Sequence, residues 1–203
     1  VVEESKSWAH VRYLATGKTD EALAYPADGN LDSQQWSISF GVMGRNWDMN
    51  GKGADVFFRF EGKEATIQLT RNGGPELQLT LQRTKGTPVT VKAPLAADMA
   101  MLHQIMITCS EGQARIYLDA KQIGAGSFST AGLAFDRIIF GQAGPGSEEN
   151  RLMNKFTIYK RALSAGEVAR TWHDESRIAA RRLVAILKTN RKIILDGEVN
   201  EAE

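Results

Sequence analysis

The sequence predicts an all-β protein, an antiparallel β-sandwich or barrel, with a short C-terminal helix and a helical linker. Two observations carry this expectation. Apolar and polar residues alternate with period two over most of the stretch from Trp36 to Tyr159, and turn residues interrupt the alternation at short intervals. A third is the change to helical spacing near residue 163. Taken in order, Trp36, Ile38, Phe40 and Val42 alternate with Ser37, Ser39, Gly41 and Met43, which gives a strand with one apolar face. Val56, Phe58 and Phe60 repeat the arrangement, followed by Ile67 and Leu69, then by Leu77, Leu79 and Leu81 against Gln78, Thr80 and Gln82. Further strands are expected over Pro88 to Lys92, Leu102 to Cys109, Ala114 to Asp119, Ile138 to Gln142 and Lys155 to Lys160. Turns are expected at Glu61-Gly62-Lys63, Asn72-Gly73-Gly74-Pro75, Lys85-Gly86, Glu111-Gly112 and the Gly-rich stretch Gly124 to Gly132.

Ser164 and Glu167 have capping-box spacing, in which each side chain satisfies an orphan helix amide, and Val168, Ala169 and Trp172 then share one helical face. Trp172 is expected to plug the core. From Arg177 to Lys188 a second helical pattern sets Ile178, Leu183, Val184 and Leu187 against Arg177, Arg181, Arg182 and Lys188, as a solvated connector would. The expected division is therefore a sandwich domain over 1–175 and, over 176–203, a linker helix and the start of a following domain.

Composition narrows the function classes. A chain of 203 residues with 42% hydrophobic side chains can bury a sizeable core. Its 25 Lys and Arg against 24 Asp and Glu leave a net charge of +1, which gathers neither nucleic acid nor a membrane surface by bulk electrostatics. The one cysteine, Cys109, excludes an internal disulfide and a thiolate metal cluster. It alternates with Ile105 and Ile107, so a buried, inert role is expected. No apolar run approaches ~20 residues. Val1 to Lys6 is acidic where a secretion signal would be basic and then apolar, so the chain reads as a mature or excised piece.

Four segments carry a family resemblance: Leu102-His103-Gln104-Ile105-Met106-Ile107-Thr108, Ala114-Arg115-Ile116-Tyr117-Leu118-Asp119, Arg137-Ile138-Ile139-Phe140-Gly141, and Phe156 to Ser164 running into Glu167-Val168. Together with Trp36 to Val42 they resemble a laminin G-like domain of the concanavalin A-like lectin and glucanase superfamily, which implies two packed sheets in a jelly roll. One departure is Ala120, where the family usually has glycine after the Asp119 position. A β-carbon at positive φ is strained, so a different turn is expected there. The tail from Ile193 to Glu203 resembles the opening strand and turn of a family-nine-type carbohydrate-binding module.

Enzymatic chemistry is mostly missing. A glucanase needs two carboxylates at alternate strand positions facing one cleft, and no strand has an E-x-D-x-E pattern. His10, His103 and His173 lack metal-ligand spacing, no G-x-S-x-G elbow occurs, and Gly124-Ala125-Gly126 lacks the rest of a nucleotide fingerprint. The expectation is a protein that is not an enzyme and needs no cofactor.

Two loops remain. Asn46-Trp47-Asp48-Met49-Asn50-Gly51 places oxygen side chains at i, i+2 and i+4 before a glycine, the opening spacing of a calcium loop. The twelfth position is Phe57, so the bidentate glutamate is absent and any calcium on Asn46, Asp48 and Asn50 is weakly held. An exposed Trp47 could instead stack on a sugar ring while Asn46, Asp48 and Asn50 bond its hydroxyls. The same residues also suit an ordinary Asn/Gly-rich loop. Ala143 to Asn150 reads as a solvated surface loop.

The functional expectation is a non-catalytic carbohydrate-binding or adhesion module of a larger secreted or cell-surface bacterial protein, with a glycan or polysaccharide and neighbouring domains of the same chain as partners. The alternative is a structural or protein-interaction spacer that presents a neighbouring domain; a glycoside hydrolase ranks last. Exposure of Trp8, Trp47 and Tyr117 discriminates the first two, because a glycan reader displays aromatic faces.

Overall fold

A computed structural model describes residues 14–15, 23–44, 54–72, 74–95, 99, 101–141 and 151–174. Among these the alternating segments become β1 (Leu14–Ala15), β2 (Leu23–Pro26), β3 (Trp36–Gly44), β4 (Ala54–Glu61), β5 (Ala65–Asn72) and β6 (Glu76–Arg83). Then follow β7 (Val89–Pro94), β8 (His103–Ser110), β9 (Gln113–Leu118), β10 (Lys121–Ser127), β11 (Arg137–Phe140) and β12 (Arg151–Tyr159). They form two six-stranded sheets, ordered β1-β12-β3-β8-β9-β10 and β2-β11-β4-β5-β6-β7, with every pairing antiparallel. The predicted two-sheet architecture is the one observed. Strands β1 and β2, which precede Trp36, lacked enough alternation in the sequence to be expected.

Large apolar side chains meet between the sheets. Trp36 of the first sheet sits edge-on to Phe60 of the second, with ring centroids 5.1 Å apart, and Phe156 packs 4.2 Å from Phe140 across the same gap. Such pairs add attraction beyond the area they bury. Two bulges aim these rings. Register shifts between Val56 and Phe58, so Phe57 and Phe58 are both buried where strict alternation would expose one of them. A second shift between Asn154 and Thr157, with Lys155 at φ 52°, turns Phe156 inward.

Beyond β12 the chain folds back over the outer face of the first sheet. Ser37 Oγ accepts a 2.8 Å bond from the Leu163 amide and donates a 3.0 Å bond to the Arg161 carbonyl, so Ser37 and Ser39 are buried although they face away from the core. Helix α1 follows over 165–174, opened by the predicted capping box: the Ser164 amide donates to Glu167 Oε2 at 2.8 Å and the Glu167 amide to Ser164 Oγ at 3.4 Å. Val168 and Leu163 bury against Met106 and Tyr117. The predicted helical face is narrower than expected. Val168 takes the buried place, Ala169 is exposed and Trp172 is only half-buried, since the cluster is already filled from the sheet side.

Two turn expectations are corrected. Gly124 and Gly126 belong to strand β10, because β10 runs against the edge strand of the other sheet: a β-carbon on Gly124 would stand 2.8 Å from Ala93 Cβ and from the Lys92 carbonyl oxygen. Glycine here marks close backbone approach, not a turn. The β9–β10 hairpin keeps the two-residue turn with positive φ at both central positions, Asp119 at 50° and Ala120 at 64°. The Ala120 methyl packs against the Met106, Tyr117, Leu163 and Val168 cluster, which offsets the strain of its conformation. The helical pattern from Arg177, the strand from Ile193 and the 175/176 boundary lie outside the described residues.

Candidate binding face

The two outer faces of the sandwich differ. The first sheet is covered by the 161–163 segment and α1, whereas among the described residues no element lies over the outer face of the second sheet. On β5, β6 and β7 the inward residues Ile67, Leu69, Leu77, Leu79, Leu81, Val91 and Ala93 are buried, so the pleat turns Gln68, Gln78, Thr80, Thr90 and Lys92 outward.

Register decides which of these side chains meet. Gln78 is the cross-strand partner of Lys92, and Thr80 that of Thr90. Glu76 lies on the same face as Gln78, two residues earlier. Asn72 Nδ2 donates to Gln78 Oε1 at 3.1 Å, Gln78 Nε2 donates to Glu76 Oε1 at 3.0 Å, and Lys92 Nζ reaches the same Glu76 oxygen at 3.0 Å. The Lys92 ammonium first, and the Gln78 amide second, hold the Glu76 carboxyl below the usual carboxylate range. In the next row the Thr80 and Thr90 hydroxyls lie 3.2 Å apart. Toward the other end of the face, Glu61 sits between two arginines: Arg137 Nη2 bonds its Oε2 at 2.7 Å, and Arg59 Nε stands 3.3 Å from its Oε1 in an ion pair without hydrogen-bond alignment.

This face can exchange hydrogen bonds with a polyhydroxylated ligand through amide, hydroxyl, ammonium and carboxylate groups already held in place by their neighbours. It does not present a glycosidase pair. Glu61 and Glu76 lie three alternate positions apart along the strands, about 20 Å, against the roughly 5 to 10 Å that glycoside hydrolysis requires. Elsewhere, Cys109 is buried and its thiol is pushed up to about 11 by that burial, far from a reactive thiolate. His103 Nδ1 lies 2.6 Å from Asp119 Oδ2, and Asp119 Oδ1 accepts a 2.8 Å bond from the Gln104 amide. That arrangement ties the β9–β10 turn to the start of β8. Among the described residues no group of three His, Cys, Asp or Glu side chains could hold a metal ion.

The sequence-predicted site residues Asn46, Trp47, Asp48 and Asn50 lie outside the described residues, as do Trp8, His10 and the loop from Ala143. Tyr117, the remaining aromatic of the discriminating set, is buried beneath α1 and offers no exposed ring. The chain on either side of Asn46 to Asn50 is described: Gly44 ends β3, Ala54 begins β4, and Ala54 is the cross-strand partner of Asn72. At this end of the sandwich, between the sheets, Asp55 and Arg71 form a buried ion pair. The network of Asn72, Glu76, Gln78 and Lys92 was not anticipated. The outward position of Gln78 was legible in the alternation, but its partners depend on strand register.

The family model for laminin G-type domains described as the concanavalin A-like lectin/glucanases superfamily matches residues 16–169. No curated protein matches. Among solved structures, the receptor-binding domain of botulinum neurotoxin D superposes with a TM-score of 0.64 at 12% identity, over 79% of this chain and 43% of that one. The binding domain of serotype G gives 0.65 at 16% identity, over 81% and 42%. That of neurotoxin DC in complex with rat synaptotagmin II gives 0.62 at 17% identity, over 75% and 40%. The chain thus spans less than half the length of these domains and shares their fold.

Proposed function

Because the chain belongs to the concanavalin A-like lectin/glucanase superfamily, as a laminin G-type domain, we propose that it is a non-catalytic module that binds glycan or polysaccharide on the open face of the second sheet. The observation that carries this reading is the chain of bonds joining Asn72, Gln78, Glu76 and Lys92 on a surface that no described element covers. Polar groups fixed before the ligand arrives lose little freedom when they bind it. The receptor-binding role of the neurotoxin domains supports a binding module over an enzyme. Hydrogen bonds alone bind sugars weakly, and the stacking surface in this reading is Trp47, with Asn46, Asp48 and Asn50 beside it, on the segment that enters β4 opposite Asn72. A calcium ion on Asn46, Asp48 and Asn50 would stiffen that segment with a weak affinity, ~10⁻⁴ to 10⁻³ M. The module belongs to a larger secreted or cell-surface protein of bacterial type, in which neighbouring domains are its covalent partners.

The burial of Tyr117 favours the second reading, a spacer that presents a neighbouring domain. A glycan array probed with the purified chain and with the Gln78→Ala variant separates the two. A binding module gives signals that the variant loses. A spacer gives none.

A further inference from the structure

The outer face of the second sheet is uneven in charge. Among the described residues Lys92 is paired with Glu76, whereas Arg59 and Arg137 are both paired with the one carboxylate of Glu61 at the β4–β11 side. Each guanidinium presents five N–H donors, and Glu61 engages one nitrogen of each arginine. The Arg59 side chain is 25% exposed, whereas the Arg137 side chain is 63% exposed and reaches solvent. Arg59 occupies the same cross-strand row as Gln68, Thr80 and Thr90. Polar side chains therefore continue across three inter-strand spacings, about 14 Å, from the arginines toward Lys92.

We propose that this side of the face is an oxyanion subsite, so that the glycan bound is an acidic one. It carries a carboxylate or a sulfate ester that Arg137 and Arg59 grip with charge-assisted, fork-like hydrogen bonds. The proposal rests on the reading of the face as a glycan-binding surface. Glu61 orients both guanidinium groups and at the same time competes with the ligand's anion for them.

Calorimetric titration of the purified chain with three probes tests it: an oligogalacturonate for the carboxylate, a carrageenan oligosaccharide for the sulfate ester, and a laminarin oligosaccharide as the neutral control. The expected result is that one acidic probe binds at least about tenfold more tightly than the neutral one, and that Arg137→Gln removes this preference. Glu61→Gln should strengthen binding of the acidic probe, an outcome that a merely structural role for Glu61 would not produce. Equal affinity for neutral and acidic probes, or an unchanged preference in Arg137→Gln, overturns the oxyanion subsite and leaves the glycan-binding reading intact. Failure of all three probes to bind overturns both. Because Arg137 lies on the surface, its variant retains the fold, which thermal unfolding verifies.

Discussion

Arg71 Nε donates a 2.8 Å hydrogen bond to Asp55 Oδ2, its cross-strand partner, with both residues buried at the end of the sandwich where β4 begins. Taking either charge away deprives the other of its ion-pair partner in a medium that solvates it poorly. Arg71→Met or Asp55→Leu alone should cost about 3 to 5 kcal/mol, and the double variant should cost less than either single one. Urea unfolding of the three variants measures this. A double variant less stable than both singles would show that the pair is not the unit that matters.

Gly62 and Gly74 both stand in hairpin turns but differ in their surroundings. A β-carbon on Gly62 would lie 2.1 Å from the Ala134 carbonyl oxygen, and on Gly74 it would meet nothing within 4 Å. Gly62→Ala must push the 134–135 backbone away and should destabilise by about 3 kcal/mol or more, whereas Gly74→Ala should stay within about 0.5 kcal/mol. Thermal or urea denaturation of the two variants compares them directly.

The helix that covers the first sheet depends on a carboxylate. Arg161, which reaches Glu167 Oε1 at 2.8 Å, and then the Ser164 amide and hydroxyl hold the Glu167 carboxyl down at about 2, below its value in the unfolded chain of about 4.3. A lowered folded value means that the contribution is fully present above the unfolded value and fades as pH falls toward the folded one. The stability gap between the natural chain and Glu167→Gln should therefore be constant above about pH 5 and close between about pH 4 and 2. Arg161 is about half exposed, so salt should narrow the gap as well. Stability measured by urea titration across this pH range provides the check, and a gap that persists at pH 2 would contradict the capping role.

Much of the sandwich was legible because period-two alternation is a local signal. Ile67, Leu69, Leu77, Leu79 and Leu81 face inward as the pattern requires, and Gln78, Thr80 and Gln82 alternate with them. The capping box at Ser164 was legible for the same reason: its spacing alone specifies the bonds. What depends on tertiary neighbours was not legible. Nothing local says that Gly124 sits in a strand pressed against Ala93, that Ala120 tolerates φ 64° because its methyl reaches the cluster beneath α1, or that Phe57 fills a bulge. The outer face of the second sheet follows the same division. The polar character of Gln78 is visible in the sequence, but its bonds to Asn72 and Glu76 and its pairing with Lys92 exist only once β5, β6 and β7 are in register.

Glycan is proposed to bind the outer face of the second sheet. Chemical-shift mapping by NMR, with the isotope-labelled chain titrated by the oligogalacturonate, carrageenan and laminarin oligosaccharides, locates any bound sugar on the fold. At least one of them is expected to move the side-chain amide signals of Asn72 and Gln78 and the backbone signals of Thr80, Thr90 and Lys92, while the signals of Met106, Tyr117 and Val168 beneath α1 stay in place. Shifts confined to the α1 side, or no shift with any of the three sugars, would contradict it.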